Sequence, residues 1–248
     1  PRPGRGCPVG LSAAGAVFQA LLRNPLVSPD ILGVSAGAGL GAVVAMLLGM
    51  SLFWLQALAF VGGLVAVALV YGLVSLLHQR DSVLMLVLAG IAIGTVLGAG
   101  ISIVKVVADP YDQLPGITYW LLGGLNGVSM ADLAWALPLI SAALLLVYLL
   151  RWHINVLSFD DEQAAALGVN VQRSRWWLIA AATLMTACAV SFSGIVGWVG
   201  LLVPHVARLW IGPNMTRLLP FSAVLGATFV LLTDTLARSM TQMELPLG

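Results

Sequence analysis

Val83-Leu-Met-Leu-Val-Leu-Ala-Gly-Ile-Ala-Ile-Gly-Thr-Val-Leu-Gly-Ala-Gly-Ile-Ser-Ile-Val-Lys-Val-Val-Ala108 carries a single charge, Lys105, near its end. A bilayer core is spanned by about 20 apolar residues in a helix, so this stretch is long enough to cross. The remainder of the 248-residue chain agrees: 60% of it is hydrophobic, 8% is charged, and mean hydropathy is +1.02. Soluble domains carry roughly 25% charged residues. Eleven basic and ten acidic side chains are too few to coat a water-soluble body, which excludes a cytosolic enzyme. Disorder and a disulfide scaffold are excluded by the apolar content and by the presence of only two cysteines, Cys7 and Cys188. No heptads support a coiled coil. Apolar runs of about 20 residues, rather than alternating strands of about ten, select helices over a barrel.

Eight apolar runs are expected to cross. They are Val9–Leu22, Ile31–Met50, Leu52–Leu77, Val83–Ala108, Leu133–Leu150, Trp176–Ser191, Ile195–Trp210 and Leu218–Ala237. The fold class is therefore all-α, a polytopic transmembrane helical bundle. Alternate ends of these runs collect Arg23, Arg80, Arg151, Arg173, Arg175, Arg208 and Arg217 on one side. Lys105 and Arg238 lie on the other, with Arg2 and Arg5 if the N-terminal stub belongs there. The excess of positive charge places the 155–175 segment in the cytoplasm and 109–132 outside. Within the spans, Gly33, Gly37 and Gly41, and again Gly90, Gly94 and Gly98, recur at intervals of four. That spacing lines one helix face, where a neighbouring backbone can approach closely.

Catalytic and energy-coupling motifs are missing. Lys105 is the only lysine, so no phosphate loop of the G-x-x-x-x-G-K-[ST] type exists. His78, His153 and His205 are far apart, and His205, after Pro204, reads as a packed helical residue. No metal site or cofactor is expected. One acidic residue, Asp234, lies well inside a span, which leaves a proton or ion relay little to run on. Uphill transport would draw its energy from another subunit.

The most polar segment, 155–175, holds a short helix. Ser158 is its candidate N-cap, with Asp160, Asp161 and Glu162 in the first turn and Gly168 at the C′ stop. On spacing alone it is either a solvated connection or a docking helix for a cytoplasmic partner.

Longer motifs carry a resemblance. Glu162-Gln-Ala-Ala-Ala-Leu-Gly-Val169 resembles the coupling-helix signature of binding-protein-dependent ABC importer permeases of the FecCD type, which serve iron–siderophore, haem and cobalamin uptake. Asn24-Pro-Leu-Val-Ser-Pro-Asp-Ile-Leu-Gly-Val-Ser-Ala-Gly-Ala38 is similar to that family's N-P-L-x-x-P-x-x-L-G-V-x-x-G-A stretch. Leu88–Ala92, Tyr119–Leu125, Asp234–Arg238 and Glu244–Gly248 match further motifs in the family's order. Gly194–Arg208 is similar to G-x-I-x-F-V-G-L-x-x-P-H-x-x-R, with Trp198 at the usual Phe. Family subunits usually have ten spans, so the chain reads as one permease domain over 1–248, truncated at both ends, with 155–175 a coupling segment inside it.

The resemblance implies a transmembrane subunit of an ATP-driven importer for a chelated metal compound, a ferric siderophore first, with haem or cobalamin as alternatives. It implies a bacterial inner-membrane location, a second permease copy or homologue, two cytoplasmic ATPase subunits and an extracytoplasmic substrate-binding protein. Asp161, Glu162, Ala165, Leu167 and Gly168 would form the ATPase-coupling helix. Arg238 and Arg5 would dock the binding protein. Gly90, Gly94, Thr95, Gly98 and Ser102 would line the pathway, with Asn24, Pro25 and Ser35 near its cytoplasmic mouth. The competing readings are an ion-gradient-driven transporter or channel, disfavoured by the lone Asp234, and an intramembrane enzyme, which lacks a convergent set of reacting groups.

Overall fold

A backbone in lipid must satisfy its own hydrogen bonds, so apolar runs of this length become helices. The computed structural model describes residues 6–77, 82–124 and 130–240. These residues form eleven α-helices: α1 (Gly6–Leu21), α2 (Val34–Leu47), α3 (Leu52–Leu77), α4 (Ser82–Val107), α5 (Leu114–Leu121), α6 (Met130–Leu149), α7 (Arg151–Leu157), α8 (Asp161–Ala166), α9 (Val171–Ser193), α10 (Val199–Ile211) and α11 (Met215–Met240). A 3-10 turn, Pro29–Leu32, precedes α2. Each of the eight apolar runs holds a helix, and the fold is all-α and polytopic. Four of them, α3, α4, α9 and α11, are long and apolar enough to cross a membrane unaided. Taken together, α6 and α7, which meet at a 59° bend at Leu150, are also long and apolar enough to make a fifth.

Helices α2 and α10 are shorter than their apolar runs. In α2 the cause is local: Pro29 and the left-handed Gly33 hold Ile31 and Leu32 in the 3-10 turn, and left-handed Gly49 stops the other end. At the polar segment, α9 starts at Val171 rather than Trp176, because the Asn170 side chain accepts the Arg173 amide N–H at 2.9 Å. The 109–132 stretch also holds α5, opened by Pro115 in its first turn.

The described residues fall into two compact units. In the first, which holds α1, α6, α7, α8, most of α9, α10 and α11, helix α1 packs against α6, α7, α10 and α11. Its Ala13, Ala14, Ala16, Val17 and Phe18 have no exposure, and the Ser12 hydroxyl donates to the Ser222 carbonyl at 2.7 Å. In the second unit, α2 packs on α3, α4 and α5. A Cβ placed at Gly37 would run into the Gly62 carbonyl of α3, and one at Gly41 into the Leu58 carbonyl. The glycine series on α2 is thus a close helix contact. Small residues, Ala38, Ala42, Ala45 and Ala59, fill the space between them.

Candidate functional site: a clamped surface helix and an exposed small-residue face

Helix α8 is only six residues long, below the length at which an isolated helix holds together. Its ends and its flank supply what length does not. At the C-terminus Gly168 takes φ +81, a conformation that favours glycine. This lets Gly168 N–H donate to the Ala165 carbonyl and Val169 N–H to the Ala164 carbonyl, closing a Schellman motif. At the N-terminus the cap position is Asp160, not Ser158. Because α7 runs on to Leu157, Ser158 closes that helix instead, its hydroxyl donating to the Asn155 carbonyl at 2.6 Å.

Asp161 anchors the flank. Nη2 of Arg175, on α9, reaches both oxygens of its carboxylate at 3.0 and 3.3 Å, and Arg23, just past α1, donates to it at 2.6 Å. Arg23 also approaches Asp160 at 3.4 Å and donates through Nε to the Leu157 carbonyl. Arg175 is 4% exposed, so this is a pair between a buried cation and a half-exposed anion. Partial burial pushes the Asp161 carboxyl up, but the bonds and charge of Arg175, then Arg23, outweigh it and hold the group below its ordinary value.

With Asp161 tied inward and Ala164 fully buried, the rest of α8 faces out. Glu162, Ala165 and Gly168 are exposed, and Leu167 and Phe159 are each 55% exposed. Of the five residues expected to couple, four share the open surface, and Asp161 chiefly positions them. The partners Arg23 and Arg175 do not emerge from sequence reading, since they stand 138 and 14 residues away from Asp161.

On α4, Gly90 is buried and Gly94 half-buried. A Cβ at Gly90 would collide with the Ile31 carbonyl, whereas Gly98 has open space beside it. Thr95 and Ser102 are exposed, and their hydroxyls turn back to the carbonyls of Ile91 at 2.7 Å and Gly98 at 3.1 Å. Leu88, Ile91, Val96 and Ile103 are exposed too, so the open face of α4 is apolar with its few hydroxyls already satisfied.

Asn24 and Pro25 are exposed in the first unit, and Asn24 Oδ1 accepts the Leu26 N–H at 3.0 Å. Ser35, in the second unit, is buried and donates to the Asp30 carboxylate. Arg238 lies in the last turn of α11, its side chain outside the described residues, as is Arg5. His205 is half-buried, with no hydrogen-bond partner at Nδ1. Among the described residues no three His, Cys, Asp or Glu side chains converge as a metal site would require.

The model of the FecCD transport family matches residues 7–248. The chain is 37% identical over 240 residues to the molybdate import system permease protein of Haemophilus influenzae, covering 96% of this chain and 71% of that one. It is 40% identical over 238 residues to a Helicobacter pylori protein named as an iron chelatin transport system permease, covering 96% and 72%. A solved structure described as a metal-chelate type ABC transporter in an inward-facing conformation superposes with a TM-score of 0.93 at 35% identity, over 99% of this chain and 78% of the other. Helix order, the capped α8 and these matches lead to one assignment: the chain belongs to the FecCD transport family, as an ABC importer permease.

Proposed function

We propose that this permease carries a chelated metal compound, a ferric siderophore in the first instance, inward across the bacterial inner membrane, driven by two separate ATPase subunits that grip α8. Haem and cobalamin are the alternative cargoes. The observation that carries the reading is the construction of α8. Its charged flank is tied back to Arg175 and Arg23, and its Ala165 and Leu167 side faces outward. A short helix held by a buried cation is a rigid lever, suited to passing on the closure of a partner. Its apolar face suits a groove on that partner.

The arginine distribution supports a cytoplasmic position for α8. A second permease copy or homologue completes the pathway, and an extracytoplasmic binding protein delivers cargo, docking at Arg238 and Arg5. The open face of α4, with Thr95, Gly98 and Ser102, lines the route. The Thr95 and Ser102 hydroxyls bond their own backbone, which leaves neither a free donor to hold a bulky chelate. The iron chelatin and metal-chelate relatives favour a chelate, the molybdate permease a small oxyanion. Transport proceeds by alternating access, each state stabilised by what it binds.

The test is uptake of a ferric siderophore into vesicles holding the permease and its cognate ATPase, first with ATP and then with an ionophore. Uptake is expected to need ATP and to survive the ionophore; the opposite pattern would mean an ion-gradient carrier. Leu167→Asp should leave the protein inserted and abolish the ATP-dependent uptake.

A further inference from the structure

At the arginine-rich end of the first unit lies a cleft of about 220 Å³, lined by Gln19, Arg23, Asn155, Ser158, Arg208 and Met215 among others. That is far more than the roughly 10–15 Å³ that admits one water. Most of its polar groups are already spoken for. Asn155 donates to Asn214 at 3.1 Å and accepts the Met215 N–H at 2.9 Å, while Ser158 bonds to Asn155. Arg23 is balanced by Asp160 and Asp161.

Two groups are not satisfied. Arg208, in the last turn of α10, makes no side-chain hydrogen bond or ion pair among the described residues, and its Nε is buried. Gln19 has no exposure. Its Nε2 donates to the carbonyls of Val27 at 3.4 Å and Leu201 at 2.9 Å, which fixes the orientation of the amide and leaves Oε1 as a buried acceptor with no donor. An occupant that serves both brings an anionic acceptor for Arg208 and a hydrogen-bond donor for Gln19. A carboxylate supplies the first without the second.

We infer that this cleft binds a phosphate group that carries a hydroxyl, either as free hydrogen phosphate or as the hydroxyl-bearing phosphodiester of an anionic lipid headgroup. Guanidinium pairs with phosphate through short charge-assisted bonds. The headgroup source fits the setting, because Trp210, two residues beyond Arg208, is 68% exposed, and tryptophan favours the membrane–water boundary. The transport reading above uses neither Gln19 nor Arg208.

The experiment takes the purified permease–ATPase complex. In detergent, inorganic phosphate is added; in parallel, the complex is placed in phosphatidylcholine vesicles with or without phosphatidylglycerol. The melting midpoint is read in every arm, and the phosphorus retained after washing in the detergent arm alone, because phosphatidylcholine itself carries phosphorus. Wild type should retain about one phosphate group per chain, and Arg208→Gln should weaken retention about tenfold. Arg208→Lys should be intermediate. Arg217→Gln, an exposed arginine on α11, should match wild type. Stabilisation by inorganic phosphate alone identifies a soluble source, and stabilisation only with phosphatidylglycerol identifies the headgroup. The inference is overturned if wild type retains no phosphorus and neither addition moves its midpoint, or if Arg208→Gln behaves as wild type. The wild-type arms decide the matter should Arg208→Gln fail to fold.

Discussion

Helices α4 and α9 are both long enough to cross a bilayer, yet 17% of the α4 span is buried within the protein against 72% of the α9 span. The buried helix is the less apolar one. It hides Ser174, Arg175, Thr183, Thr186, Ser191 and Ser193, while α4 turns Leu88, Ile91, Val96 and Ile103 outward. In water this would be inside out. In a membrane protein it is expected: an apolar face left open by its own chain can meet lipid or, as proposed for α4, a second permease copy, whereas polar groups need partners inside the protein. Packing and internal hydrogen bonds therefore select the buried helix, and hydrophobicity alone points to the wrong one.

The largest effect that could break this comparison lies within α4 itself. Gly90→Leu drives a side chain into the Ile31 carbonyl and should abolish recovery of folded protein, whereas Gly98→Leu, with open space beside it, should fold normally. Fluorescence-detected size exclusion measures both, and equal recovery would remove the distinction between the two faces. Next comes a contrast between the helices. Met185→Ala on α9, at 0% exposure, should cost about 2–5 kcal/mol, and Val96→Ala on α4 less than about 0.5 kcal/mol. Thermal unfolding in detergent compares them.

The smallest effect sharpens the account at the N-terminal end of α9, where Arg175 holds α8. Asp161→Asn should cost about 1 kcal/mol or less and raise hydrogen exchange in α8. The folded-state carboxyl titrates below its ordinary value, so its contribution is complete above the unfolded value and is lost as pH falls through the lowered one. Wild type should thus lose stability over that acid range, and Asp161→Asn should show a flatter acid limb.

Much of the fold was legible because hydropathy and chain length together report a membrane helix. What escaped were breaks inside apolar runs and helices beyond them. Arg151-Trp152-His153 reads as the end of a span, yet the helix bends there and continues as α7, since a drop in hydropathy cannot tell a kink from a terminus. Ser158 has the chemistry of an N-cap, but α7 reaches it first. Gly168 was legible from its residue type and place, whereas Leu167 was named only through the family resemblance, and the structure turns it outward. The clamp was not. Arg175 and Arg23 register in the sequence as charges that orient the protein, and only the fold brings them to Asp161.

The central claim is that the outward face of α8 lies on the side where ATP is hydrolysed. Leu167→Cys, with Cys7 and Cys188 replaced by alanine, can be treated with a membrane-impermeant maleimide on intact cells and on inverted vesicles. Labelling in inverted vesicles alone, blocked when the cognate ATPase is bound, is the predicted result. Labelling on intact cells would place α8 beyond the reach of the ATPase and contradict the account.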